Sequence, residues 1–155
     1  TEENLEQLLK PFIYNESDGI KVHEHIGAHY YTIGQRKGLH IGGRPKPSFV
    51  IGINTETNTV YSGQEESHPG LNRIALLVET DDFTYINSNY RLNDGDQLKC
   101  KVKIRYRTES QSATVYKKES GYYFLFDELQ KGITPGQFAA IYIGDELIGS
   151  GVIKQ

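Results

Sequence analysis

In 98-LKCKVKIRYR-107, apolar or aromatic residues and cations alternate without a break. Strand side chains point to opposite faces in turn, so this period sorts the segment into two sides. Leu98, Cys100, Val102, Ile104 and Tyr106 share one face; Lys99, Lys101, Lys103, Arg105 and Arg107 share the other. Four steps of about 6.6 Å give a basic stripe roughly 26 Å long. No acid lies between Asp96 and Glu109 to neutralise it, in a chain whose net charge is −3. The spacing therefore predicts an antiparallel strand with one apolar face against a core and one cationic face outward.

At 155 residues the chain is long enough for one domain or two small ones. Hydrophobic residues are sparse at 37%, but 11 Tyr and 6 Phe supply large apolar bodies for a core. No apolar run approaches the roughly 20 residues of a membrane span, and the start has no secretory pattern. The single cysteine excludes an internal disulfide, which points to a reducing, cytoplasmic setting. The sequence opens at Thr1 and contains no Met, and we read it as a fragment.

One short helix is expected at the start. Leu5, Leu8, Leu9 and Phe12 follow helical spacing, Glu2 and Glu3 suit the positive end, and Pro11 stops it. A second helical turn is expected from His29 to Gln35, ended by Gly38. The remainder reads as short strands. Phe49–Ile53 and Val60–Ser62 flank a turn, as do Gln111–Lys117 and Tyr122–Phe126, and Phe138–Ile143 and Leu147–Ile153. Asn93-Asp94-Gly95-Asp96 is a tight turn feeding the basic strand. The polar run 65-EESHPGLNR-73 marks a boundary. Residues 1–72 carry 6 cations and 9 acids, and residues 73–155 carry 11 of each. The expected fold is mainly β: a small β-rich module (1–72) with a short N-terminal helix, then a six- or seven-strand antiparallel β-barrel (73–155).

Several groups invite a chemical reading. Cys100 falls on the apolar face between Leu98 and Val102, with its lysine neighbours pointing away, so core packing is expected. His23 and His25 share a strand face, but no third metal ligand falls at a recognisable spacing, and no metal site is assigned. The segment 34-GQRKGLHIGG-43 matches neither phosphate-loop fingerprint. It holds Arg36 and Lys37 on a glycine-rich backbone, with Arg44 and Lys46 just beyond, and is read equally as a phosphate contact or a solvated loop. The basic strand has two readings: lysines that protect a sheet edge, or a grip on a polyanion whose binding releases counterions. Asp81-Asp82 and Asp127-Glu128 are placed beside turns and solvated. No catalytic residues are assigned, and the pattern supports a binding module.

Six strings in order carry a family resemblance: 24-EHIGAHYYTIGQRKGLHIGG-43, 62-SGQEESHPGL-71, 102-VKIRYR-107, 126-FDE-128, 132-GITPGQFAAIY-142 and 144-GDELIGSGVI-153. Together they resemble the central and C-terminal parts of bacterial tRNA-specific 2-thiouridylases (in older usage, tRNA 5-methylaminomethyl-2-thiouridylate methyltransferases). The resemblance implies a parent enzyme that replaces the 2-oxygen of the wobble uridine with sulfur. It implies ATP and magnesium for adenylating the base, and a sulfur-donor protein, either a persulfide carrier or a cysteine desulfurase. The family's catalytic α/β domain carries an SGGxDS-type loop and two cysteines, none of which occurs in residues 1–155, so no cofactor is expected in this segment. A β-barrel similar to those of translation factors is implied for the C-terminal part. Carried over by motif, Arg105, Tyr106 and Gln137 are similar to family tRNA contacts. Weaker contact candidates are Lys99, Lys101, Lys103 and Arg107 on the stripe and Gln35, Arg36 and Lys37 in the central module. Two other readings remain open: a stand-alone RNA-binding barrel of translation-factor type, and a structural interaction module.

Overall fold

A computed structural model describes residues 4–9, 13–39, 41–43, 45–65, 68–105 and 107–154. The chain forms two compact units. One contains the N-terminal helix, the chain from Ile74 to Gln130, and the chain onward from Thr134. The other runs up to Arg73 and returns for Lys131–Ile133. Helix α1 spans Leu5–Leu9. Strands β1 (Ser48–Asn54) and β2 (Thr59–Gln64) form a two-strand sheet. Strands β3 (Asn72–Tyr85), β4 (Gln97–Lys103), β5 (Gln111–Lys118), β6 (Gly121–Lys131), β7 (Phe138–Ile143) and β8 (Glu146–Ile153) close into a barrel of order β3-β6-β5-β4-β7-β8. The pairs β3–β8, β4–β5, β4–β7, β5–β6 and β7–β8 are all antiparallel.

The apolar side of α1 packs within the barrel unit. Leu5 and Leu9, one turn apart, are buried with Ala75, Leu77 and Tyr123, and Leu8, Ile74, Tyr116 and Leu125 pack around them. Five residues make too short a helix to persist alone, so this packing holds it. Burying each leucine contributes about 2 kcal/mol. The helix also explains the unbroken buried run Ala75–Val78 in β3. Ala75 and Leu77 face α1, while alternation turns Leu76 and Val78 to the opposite face of the strand.

The seam between β3 and β8 completes the barrel. Between the pairs Val78↔Ile153 and Phe83↔Gly151, β3 advances five residues while β8 advances two. The surplus, around Glu79–Asp82, is an outward swelling that bends the strand. Glycines on β8 let β3 come close here. A Cβ added at Gly151 would sit 2.4 Å from Val78 Cγ1 and 2.8 Å from the Asp82 carbonyl oxygen. One added at Gly149 would meet the Phe83 ring at 2.8 Å. Phe83 stacks on Tyr122 at 4.3 Å, and the Tyr122 and Tyr85 hydroxyls are 2.8 Å apart. Lys117, buried on β5, donates to Asp94 at 2.7 Å beside them.

In the other unit, Phe49, Ile51 and Leu71 are buried with Tyr14, Ile33 and Tyr61 packed against them. The β1–β2 turn is held by Asn54 Oδ1, which accepts from the Glu56 and Thr57 amides. No helix among the described residues is long and apolar enough to cross a membrane.

Three expectations are corrected, and one strand went unforeseen. The segment His29–Gln35 is not a helical turn: a single 3-10 turn covers Ala28–Tyr30, and isolated turns follow. The longest strand, β3, was not anticipated, because its buried run Ala75–Val78 does not alternate. Asp81-Asp82 and Asp127-Glu128 lie within β3 and β6, exposed, not beside turns. The basic strand ends at Lys103, not Arg107. Phe12 and Pro11 lie outside the described residues.

Cys100 is half-buried on the inward side of β4, opposite Ala113. Burial pushes its thiol up to about 12 from 9.0. Burial, and then the Tyr85 hydroxyl, also raise Tyr122. Groups raised in the folded state contribute stability fully below their unfolded pKa and lose it as pH rises towards the folded value.

Two outcomes are expected. Gly151→Ala should destabilise the barrel by about 2 kcal/mol through overpacking, seen as a lower denaturant midpoint with an unchanged m-value; an unaltered midpoint would show that β3 tolerates a wider seam. Wild-type stability should fall from near pH 9 to near pH 12, and Cys100→Ala should flatten that fall. Denaturant titrations across this range check it, and identical pH profiles would remove Cys100 as a contributor.

Candidate functional site

The alternation in β4 places its lysines as the sequence indicates. Lys99 and Lys101 are exposed, Val102 is buried, and Leu98 and Cys100 are half-buried. β4 lies between β5 and β7 in a closed barrel, so it is not a sheet edge. The edge-protection reading of the lysines therefore loses its premise. Within the strand the stripe covers Lys99 to Lys103, two steps or about 13 Å.

Ladder partners define the rest of this outer face. Lys101 lies between Ser112 on β5 and Tyr142 on β7, and Lys103 is opposite Ala140. Lys101 donates to Ser112 Oγ at 2.7 Å. The Lys103 ammonium sits 5.4 Å from the centroid of the Tyr142 ring, a cation–π contact that holds the side chain along the surface. On β7, Ala139 and Ile141 are buried while Phe138 stays 63% exposed. Phe138, Ala140 and Tyr142 thus share the outer face with the lysines.

Past Lys103 the chain bends, and the Arg105 carbonyl accepts from Thr108 through both its amide and its hydroxyl. Arg105 is half-buried and Arg107 exposed in this turn. The ladder pairs Lys101↔Tyr142, Val102↔Ile141 and Lys103↔Ala140. Tyr106 lies outside the described residues.

Gln137 closes the turn 134-TPGQ-137. Its amide donates to the Thr134 carbonyl at 3.2 Å, and Gly136 has φ +92°. Proline followed by a left-handed glycine is the chemistry of a type II turn. The Gln137 carbonyl accepts from the Ile153 amide at 2.7 Å. Its backbone is therefore pinned on both sides, and its side chain starts from a fixed point beside Phe138.

The three candidates of the central module divide. Gln35 is occupied by its own loop: Oε1 accepts from the Thr32 amide at 3.1 Å, and Nε2 donates to the Lys37 carbonyl at 2.9 Å. Its backbone pairs with Val50, which ties the loop to β1. Gln35 is thus a scaffold, and the loop it holds presents Arg36 and Lys37 to solvent. Arg36 and Lys46 help line a cleft of about 390 Å3 with Leu39, Ile41 and Pro47. Lys46 is ion-paired with Glu65.

Among the described residues no three His, Cys, Asp or Glu side chains gather as a metal site. His25 accepts from the Gly27 amide at 3.0 Å, and His68 from the Gly70 amide at 3.0 Å. Both serve as local caps. Cys100, with its raised pKa, remains a protonated thiol at neutral pH.

Sequence reasoning missed Phe138 and Tyr142. In 138-FAAIYI-143 nearly every residue is apolar, so no polar partner marks which side faces out; only the ladder with β4 settles it.

Comparison with known proteins accounts for both units. Residues 4–64 match the tRNA methyl transferase PRC-barrel domain, and residues 78–153 the aminomethyltransferase beta-barrel domain. A tRNA-specific 2-thiouridylase MnmA of Christiangramia forsetii is 44% identical over 152 residues, covering 98% of this chain and 38% of that protein. Proteins of the same name from Flavobacterium johnsoniae and Shouchella clausii are 43% and 45% identical, over 99% and 89% of this chain and 39% and 37% of their own lengths. The chain spans less than two fifths of each of these relatives. With both domain types matched in order along almost all of its length, the chain belongs to the tRNA-specific 2-thiouridylase family, corresponding to that family's PRC-barrel and C-terminal β-barrel portions.

Proposed function

We propose that this chain is the tRNA-binding and positioning part of a cytoplasmic tRNA 2-thiouridylase. The supporting observation is the outer face of β4: a strand with neighbours on both sides that nonetheless turns Lys99, Lys101 and Lys103 outward, with Arg105 and Arg107 following in the adjoining turn. Cations fixed on a rigid strand match the repeating charge of a nucleic-acid backbone. Their binding energy comes from displacing its counterions. Such contacts set register and orientation without reading sequence. Arginine at position 105 adds a fork suited to phosphate oxygens, and the pinned Gln137 offers an amide that both donates and accepts. Tyr106 belongs to this set by motif.

On this reading the chain's contribution to thiolation is orientation. Holding the tRNA body fixes the wobble uridine against a reactive centre outside residues 1–155, which converts an encounter into a positioned reaction. ATP and magnesium serve that centre, as does the sulfur-donor protein, a persulfide carrier or cysteine desulfurase. Arg36 and Lys37, displayed by the Gln35 loop, supply further phosphate contacts from the central module.

The test is tRNA binding across a salt series. Log affinity should fall linearly with log salt concentration, and Lys101→Ala and Arg105→Ala should each flatten the slope by about one. Slopes unchanged in both variants, or no tRNA binding at low salt, would overturn the reading.

A further inference from the structure

Three exposed large apolar side chains stand out in the barrel unit: Ile86, Leu129 and Phe138, each 63% exposed. Leu129 follows Asp127 and Glu128, so its surroundings repel a polyanion, and Ile86 lies between Tyr85 and Asn87 with no cation adjoining it in sequence. In the other unit, exposed Ile13, Ile20, Val22 and Ile26 occur in a segment that also carries Glu16, Asp18 and Glu24. Phe138 alone adjoins the cation row. It shares the outer face with Ala140 and Tyr142, which lie opposite Lys103 and Lys101, and Lys103 reaches the Tyr142 ring. Gln137 comes immediately before it.

We propose that Phe138 is a stacking platform for an unpaired RNA base, on the outer face that β7 shares with Lys101 and Lys103 and directly after the turn that ends at Gln137. This rests on the tRNA-binding reading and deepens it by naming what kind of nucleotide is held there. The chemistry is that of single-strand recognition, in which cations track the backbone and an aromatic ring receives a base face. A base inside a duplex has both faces covered by its neighbours, so the ring selects a nucleotide already out of the stack. Rigidity supports the assignment. The ladder pair Phe138↔Val152 and the two backbone bonds of Gln137 fix where the ring starts, which lowers the ordering entropy on binding. Small neighbours on the strand, Ala139 and Ala140, leave the ring uncovered.

The experiment compares this chain with Phe138→Ala and Phe138→Tyr, titrated at several salt concentrations with a short oligouridylate and with a blunt RNA duplex. Phe138→Ala should weaken oligouridylate binding about ten-fold with an unchanged salt slope, because no phosphate contact is lost. Duplex binding should be unaffected, and Phe138→Tyr, which keeps a ring, should bind as wild type. Equal loss on both RNAs, or no loss on the oligouridylate, overturns the platform while a steep wild-type salt dependence leaves the tRNA-binding reading intact. Wild type that binds neither RNA nor tRNA overturns both. Self-association abolished by Phe138→Ala without any effect on RNA would assign the ring to a second copy of the chain and also overturn the platform.

Discussion

The close approach of β3 to β8 is the contact on which the barrel depends. Six strands close only if the first and last can pair, and here the first must swell outward around Glu79–Asp82 and still return to register at Phe83. Gly149 and Gly151 give it the room, since a side chain at either position would collide with Phe83 or with the β3 backbone. The ion pair between Lys154 and Glu79, and the bond from the Lys154 amide to the Leu77 carbonyl at 2.8 Å, fasten the strand just past the seam. The strand order decides what β4 is. With β5 and β7 on either side, its lysines form a surface and do not guard an edge.

That surface combines two kinds of group whose physical demands differ. Lysine and arginine act at range and lose strength in salt. An aromatic ring acts only in contact and is nearly indifferent to salt. Lys103 lying against Tyr142 shows the two sharing one face of the strand pair. The glutamine after the Pro-Gly turn adds a third, directional element whose backbone is fixed by hydrogen bonds on each side.

Much of this was legible in the linear chain. Alternation from Leu98 to Lys103 gave the faces of β4, and turn chemistry located the three hairpins closely. The six-strand barrel fell within the range that turn spacing allowed. The illegible parts have separate causes. β3 is apolar on both sides near Ala75–Val78 because α1 covers one of them, so it shows no period of two. The segment after Gly27 has scattered apolar residues that mimic helical spacing while its backbone takes separate turns. Gln35 stands beside Arg36 and Lys37 in the sequence, but that its side chain also bonds within its own loop could not be read there.

By itself the sequence determined the local choices: strand period, turn positions, the inward thiol and the outward charge. These follow from side-chain alternation and from the conformations that Gly, Pro and Asn permit, and neither needs a distant partner. Tertiary structure alone decided that β4 is interior, that α1 belongs against the barrel, and that the arginines beyond Lys103 leave the strand for a turn. It also decided that Phe138 faces solvent beside cations from another strand. Those outcomes depend on which strands become neighbours, and pairing between strands far apart in sequence is set by closure of the whole barrel.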